Sequence, residues 1–155
     1  MGAGKTLVGA IVAERAKARF FDLDTMIEDQ AGMSIAEIFA THSEDSFRAF
    51  EKATLPKVLL ADSVVALGGG VVIDDDNWRL VSEKSTSVFL DVPFDVLWER
   101  IRHFHARPLI LNRSATEVEA LLERRRPRYE LATFRVDGNR SPRVVADEVL
   151  QLWSA

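Results

Sequence analysis

The chain begins MGAGKT, and the chemistry these residues could do is phosphate binding. Gly2, Ala3, Gly4, Lys5 and Thr6 follow the order of the second half of a G-x-x-x-x-G-K-[ST] loop. In such a loop successive backbone N–H groups wrap a phosphate, and the positive end of the following helix faces it. The lysine reaches the β- and γ-phosphates, and the Ser or Thr hydroxyl ligates Mg²⁺. The leading glycine of that spacing falls ahead of Met1, and a glycine-rich start can also be an unstructured terminus. Asp22 and Asp24 follow. Two carboxylates two residues apart at the carboxyl end of a strand point to the same side. That edge is where parallel α/β sheets bind ligands. Such a pair suits Mg²⁺-bound water and a hydroxyl nucleophile, although Asp24 could instead only cap the next helix, or do both.

Further along, Arg48 sits in an amphipathic stretch with Glu51 three residues on, placed to orient it along one helical face. Taken alone, Arg48 reads equally as a surface residue. Gly68, Gly69 and Gly70 end a strand, and three glycines in a row permit positive φ and close approach of a ligand to the backbone. A plain turn needs only one or two. Arg107, followed by Pro108, lies in a polar stretch between two helical patterns. An insertion that carries an arginine over a reacting phosphate excludes water and neutralises charge. Arg124, Arg125, Arg126 and Arg128 form a basic cluster. It is short, has no aromatic interleaving beyond Tyr129 and sits in an acidic chain, so a nucleic-acid patch is set aside. His42, His103 and His105 lack partners at a ligand spacing and read as surface residues. Asp74, Asp75 and Asp76 read as helix-starting acids.

The elements that must position these residues alternate. A helix follows Lys5, with Leu7, Ile11 and Val12 on its apolar face. Strands are expected at 20–24, 63–67, 87–92 and 134–137. Ser34 and Glu37 form a capping box at the start of one helix, and further helices are expected at 45–60, from Asn77, after Pro93 and from near Thr116. Ser141 and Pro142 make an N-cap and first-turn pair for the terminal helix. Strands separated by helices of this length imply parallel pairing in a three-layer α/β/α fold. At 155 residues, 47% hydrophobic and 28% charged, the chain is expected to be one soluble domain. Its net charge of −4 argues against nucleic acid or an anionic membrane as the main partner. The absence of cysteine removes thiol nucleophiles and thiolate metal sites and fits the cytoplasm.

With the loop placed, the quoted motifs line up with one family. MGAGKT, DLD at 22–24, GMSIAEIF at 32–39, FR at 47–48, GGG at 68–70, RPL at 107–109 and RRPRY at 125–129 occur in that order. The chain resembles the shikimate kinases, P-loop NTPase-fold enzymes related to the nucleoside monophosphate kinases. The resemblance implies transfer of a phosphoryl group from ATP, with Mg²⁺, to the 3-hydroxyl of shikimate, a step of the chorismate pathway to aromatic amino acids. It implies ATP on Gly2, Ala3, Gly4, Lys5 and Thr6, with Arg100, Arg140 and Pro142 around the adenine and Arg107 on a lid insertion at about 105–116. Arg100 reads equally as a solvated helix residue. The metal shell would be Thr6 and Asp22. Shikimate would meet Asp24, which may take its proton, together with Arg48, Gly68, Gly69, Gly70 and Arg125. Catalysis would rest on Lys5, Asp24 and Arg107, in a monomer. Two other readings stay open: another small-molecule P-loop kinase such as gluconate kinase, or a nucleotide-binding remnant without turnover.

The family's sheet has five parallel strands with the phosphate-loop strand in the middle, and that strand is missing from this chain. Its loss would leave neighbouring strands with unpaired backbone groups and an apolar slot. Met1 is therefore expected to be an internal methionine. A chain extended upstream by roughly ten apolar-rich residues, enough for one strand, is expected to melt at a higher temperature. Equal melting temperatures would overturn that expectation.

Overall fold

The computed structural model describes residues 2–102 and 113–153. Among the described residues four short strands form two parallel pairs: β1 (Arg19–Asp22), β2 (Ser63–Ala66), β3 (Val88–Asp91) and β4 (Phe134–Asp137). β1 runs parallel to β2, with Phe20 opposite Val64 and Asp22 opposite Ala66. β3 runs parallel to β4, with Leu90 opposite Val136. The helices are α1 (Lys5–Ala16), α2 (Leu23–Ala31), α3 (Ile35–Thr41), α4 (Glu44–Val58), α5 (Asp75–Lys84), α6 (Phe94–Ile101), α7 (Ala115–Tyr129) and α8 (Pro142–Trp153). A 3₁₀ turn, Val71–Ile73, follows the glycine run.

Local chemistry sets most of these boundaries. The Ser34 and Glu37 capping box opens α3, and a second box, Ser114 with Glu117, opens α7. That second box went unread in the sequence, where the helix was expected from near Thr116. Asp74 caps α5 by accepting a hydrogen bond from the Asn77 N–H at 2.9 Å, as the acid run anticipates. Pro93 is the N-cap of α6 rather than its first helical residue.

Two expectations are corrected. The strand expected at 20–24 stops at Asp22, because the Asp22 carboxylate accepts from the N–H groups of Asp24 and Thr25 and so starts α2. Asp22, not Asp24, is the cap, and Asp24 stands in the first helical turn. The buried face of α1 is Val8, Gly9, Val12 and Ala13, whereas Leu7 is 55% exposed. The helix is apolar on more than one face, and only its packing decides which side turns inward.

Two apolar clusters lie on either side of the strands, which makes the layered α/β/α arrangement. On one side α2, α3, α4 and α5 enclose Leu23, Ile27, Ile38, Phe47, Leu55, Val58 and Val81. On the other, Val8 and Val12 of α1 meet Leu90, Val136, Val145 and Ala146. Between β2 and β3 lies an apolar cavity of about 530 Å³, lined by Val64, Val65, Val88, Phe89 and Leu90 with Val8 and Val12 of α1. Among the described residues, β2 and β3 pair with no strand on the edges that face it. No helix among the described residues is long and apolar enough to cross a membrane.

Candidate active site

The carboxyl ends of β1 and β2 and the start of α1 border a cleft of about 440 Å³. Gly4 is the N-cap of α1 at φ 85°, a left-handed conformation that side chains resist, and no side chain caps the helix there. The first turn and the positive end of the helix face the cleft, a setting that favours an anion. Gly2, Lys5 and Thr6 line the same cleft, together with Asp22, Asp24, Gly68, Gly69 and Arg100. Ala3, within the loop, borders the apolar cavity.

The Thr6 hydroxyl donates to Asp22 Oδ2 at 2.5 Å. A hydroxyl and a carboxylate side by side are hard oxygen donors, and Mg²⁺ takes few protein ligands, completing its shell with phosphates and water. Among the described residues no group of three or more His, Asp or Glu side chains could enclose a metal. The Thr6 and Asp22 oxygens fit one side of a Mg²⁺ shell. Asp22 so combines two tasks: one carboxylate oxygen caps α2 and the other meets Thr6.

A second group of side chains gathers around the glycine run. A Cβ at Gly68 would lie 2.9 Å from Asp24 Oδ1, and one at Gly70 would collide with the Arg48 guanidinium. A side chain at Gly70 would displace the Arg48 guanidinium from its present place against the backbone. Arg48, on α4, donates from Nη1 to Glu51 Oε2 at 2.6 Å and from Nη2 to Glu44 Oε1 at 3.0 Å. Its guanidinium also lies 5.3 Å from the centre of the Phe47 ring. Glu51 is 1% exposed. Its orienting role toward Arg48, expected from the spacing, is what the geometry shows.

Burial pushes the Glu51 carboxyl above its ordinary 4.5; Arg48 opposes the shift, and the nearby Asp24 charge adds to it. The folded state therefore binds this proton more tightly than the unfolded chain. The stabilising contribution is fully present below about 4.5 and is lost as pH rises through the raised folded-state value. Glu51→Gln is expected to flatten that part of the melting-temperature profile above pH 4.5. An identical decline in both proteins would refute the linkage.

Arg125, on α7, reaches the same place: its Nη1 lies 3.9 Å from where a Gly69 Cβ would be. Arg100, on α6, donates from Nη1 to the Gly2 carbonyl at 3.1 Å, so it steadies the phosphate loop itself. Arg140 and Pro142 stand at the β4–α8 junction, outside the lining of this cleft. There Arg140 is ion-paired with Glu148 and Asp137. Arg107 and residues 105–112 of the expected insertion, with His103, lie outside the described residues, whereas its expected end at 114–116 is the cap and start of α7. In the basic cluster, Arg126 pairs with Asp91, Glu123 and Glu130, and Arg128 pairs with Asp75. His42 contacts Thr41.

Two side chains at this site were not singled out from the sequence. The Tyr129 hydroxyl donates to the Gly69 carbonyl at 2.7 Å, and the buried Asn77 amide donates to the Val71 carbonyl at 3.0 Å. The only available signals were that Tyr129 closes the RRPRY run and that Asn77 falls three residues after the capping Asp74.

An uncapped helix end for phosphate, a hydroxyl and carboxylate for a hard cation, and a separate carboxylate near arginines belong to one kind of chemistry. Such a set suits phosphoryl transfer, and with the fold it sets the chain among the P-loop kinases of small molecules. The comparison with known sequences narrows the class. A model of the shikimate kinase family matches residues 1–154, and the chain belongs to that family.

The shikimate kinase of Persephonella marina is 36% identical over 97% of this chain and 92% of its own length. That of Streptococcus gordonii is 38% identical over 95% and 92%. Among solved structures, the shikimate kinase from Acinetobacter baumannii in complex with shikimate superposes with a TM-score of 0.94. It shares 32% identity and is covered over 88% of its chain, with 99% of this one. A gluconokinase from Sinorhizobium meliloti, at 21% identity and a TM-score of 0.62, covers 97% of this chain and 85% of its own; it shares the fold alone.

Proposed function

We propose that this member of the shikimate kinase family transfers the γ-phosphoryl group of ATP to the 3-hydroxyl of shikimate, releasing ADP and shikimate 3-phosphate. The observation that carries the reading is the single cleft shared by Lys5, Thr6, Asp22, Asp24, Gly68 and Gly69. The backbone of residues 2–6 wraps the phosphates. Lys5 offsets the charge that spreads over the oxygens of the transferred group. Thr6 and Asp22 would hold Mg²⁺, which when bound neutralises charge between the β- and γ-phosphates.

Arg48 and Arg125 receive the acceptor's carboxylate, the first as a fork oriented by Glu51. Asp24 binds the acceptor's hydroxyls and takes the proton of the attacking one. With a loose transition state, that proton transfer contributes less than positioning and charge neutralisation. The glycine run lets the acceptor lie close to the backbone. Arg107 is assigned to the reacting phosphates, and Arg140 and Pro142 to the adenine, on the family resemblance. The family resemblance and the lack of any long apolar helix among the described residues support a cytoplasmic enzyme, which we take to be a single-domain monomer.

Shikimate-dependent release of ADP from MgATP, with gluconate as the comparison acceptor, tests the reading. Release that needs both shikimate and Mg²⁺ is the expected result. Equal release with gluconate would overturn the acceptor, and release independent of Mg²⁺ would overturn the metal assignment.

A further inference from the structure

Tyr129 closes α7 one helical turn after Arg125, so the two side chains share a helix face. That face meets the glycine run. The Tyr129 hydroxyl donates to the Gly69 carbonyl at 2.7 Å, while Arg125 Nη1 lies 3.9 Å from the Cβ position of the same glycine. A Cβ at Gly69 would lie only 2.9 Å from that hydroxyl, so the glycine is what lets the two approach. On its other side the Tyr129 ring packs against Phe89 of β3, with centres 5.6 Å apart. The ring therefore has its own reason to be where it is, and the hydroxyl adds one directional bond.

We propose that Tyr129 is a positioning residue for the acceptor, its hydroxyl fixing the Gly69 carbonyl and with it the spacing between the Arg125 guanidinium and the glycine run. The peptide joining Gly69 and Gly70 is planar and trans, so fixing the carbonyl direction turns the Gly70 N–H to the opposite side. Gly70 is also the residue against which the Arg48 guanidinium lies. One hydroxyl thus ties together the turn and both arginines assigned to the acceptor's carboxylate. The next carbonyls of the segment are held independently: Asn77 takes Val71, and the Ile73 N–H donates to Gly70 at 3.1 Å. The Gly69 carbonyl accepts a hydrogen bond from α7 itself, through the Tyr129 hydroxyl. Burial keeps the Tyr129 hydroxyl protonated to higher pH than usual, opposed by the charge and hydrogen bond of Arg125 and by the charge of Arg48, so the donor persists across the neutral range.

The inference rests on the proposed acceptor site, and the test separates the two. Tyr129→Phe keeps the ring and removes only the hydroxyl. It is expected to raise the KM and the directly measured Kd for shikimate about tenfold by loosening the turn that aligns both arginines, with the KM for ATP unchanged and the Tm lowered by the loss of an internal hydrogen bond. Phe89→Leu removes the ring contact and keeps the hydroxyl. It is expected to lower the Tm with little change in shikimate affinity. An unchanged Kd in Tyr129→Phe, a parallel rise for both substrates, or an equal shikimate defect in Phe89→Leu would each overturn the inference. If Arg48→Ala also leaves shikimate affinity unchanged, the acceptor site itself is misplaced. If Arg48→Ala weakens shikimate and Tyr129→Phe does not, only the role of Tyr129 fails.

Discussion

Replacing Lys5 by alanine is expected to lower kcat by about a thousandfold while the protein melts at an unchanged temperature. The size follows from where the side chain acts. Lys5 opens α1 directly behind the left-handed Gly4 and lines the cleft with Thr6 and Asp22. A charge aimed at oxygens that gain negative character only as the bond breaks lowers the barrier more than it strengthens binding of the ground state. Removal of one neutral donor in comparable settings costs ~10²–10³ in rate, and a full positive charge belongs at the upper end. The fold has little to lose, since alanine is the best helix former and the position is the first of the helix. Lys5→Arg keeps the charge but substitutes a planar fork for a compact ammonium, and should recover only part of the rate. Turnover of Lys5→Ala within tenfold of the parent chain would remove the phosphate-loop assignment.

The second large effect is expected at Arg48, and it has two separable parts. Arg48→Ala should raise the KM for shikimate by about 10–100-fold, because charge-assisted hydrogen bonds contribute ~1.5–3 kcal/mol. It should also lower the Tm by about 5–10 °C, since it strands a buried carboxylate. Glu51 is 1% exposed and its short hydrogen bond to Arg48 offsets the cost of its burial. The Arg48 side chain is itself 27% exposed, so the loss belongs at the low end of the ~3–5 kcal/mol seen for broken buried pairs. Adding Glu51→Gln removes the stranded charge. The double variant is therefore expected to regain Tm without regaining shikimate affinity. Recovery of both together would mean that Arg48 is structural and does not touch the acceptor.

These two residues show what can be read without a structure. Lys5 is legible because a phosphate loop is contiguous: Gly2 to Thr6 and the helix after them carry the half of the device that was read. Arg48 and Glu51 are legible as a pair because helical spacing brings residues three apart to one face. The capping box at Ser34 and the acids at Asp74 were readable for the same reason, since a cap bonds within its own turn. Asp22 and Asp24 mark the limit. Their closeness to the loop was visible, but the strand was read two residues too long, because a carboxylate that ends a strand and one that begins a helix look alike in a short apolar run.

What the sequence by itself determined is therefore local and periodic: the loop, the caps, the order of strands and helices, and hence the layered parallel fold. The tertiary structure alone decided which face of α1 turns inward, because that helix is apolar on more than one side and only its neighbours choose between them. It alone decided that Tyr129 and Arg125 meet a glycine run nearly sixty residues away, since a bond between a hydroxyl and a distant carbonyl leaves no periodic trace. The cavity between β2 and β3 became a measurable space for the same reason. Short-range order is written in neighbouring residues, whereas contacts between distant segments exist only once the chain has closed upon itself.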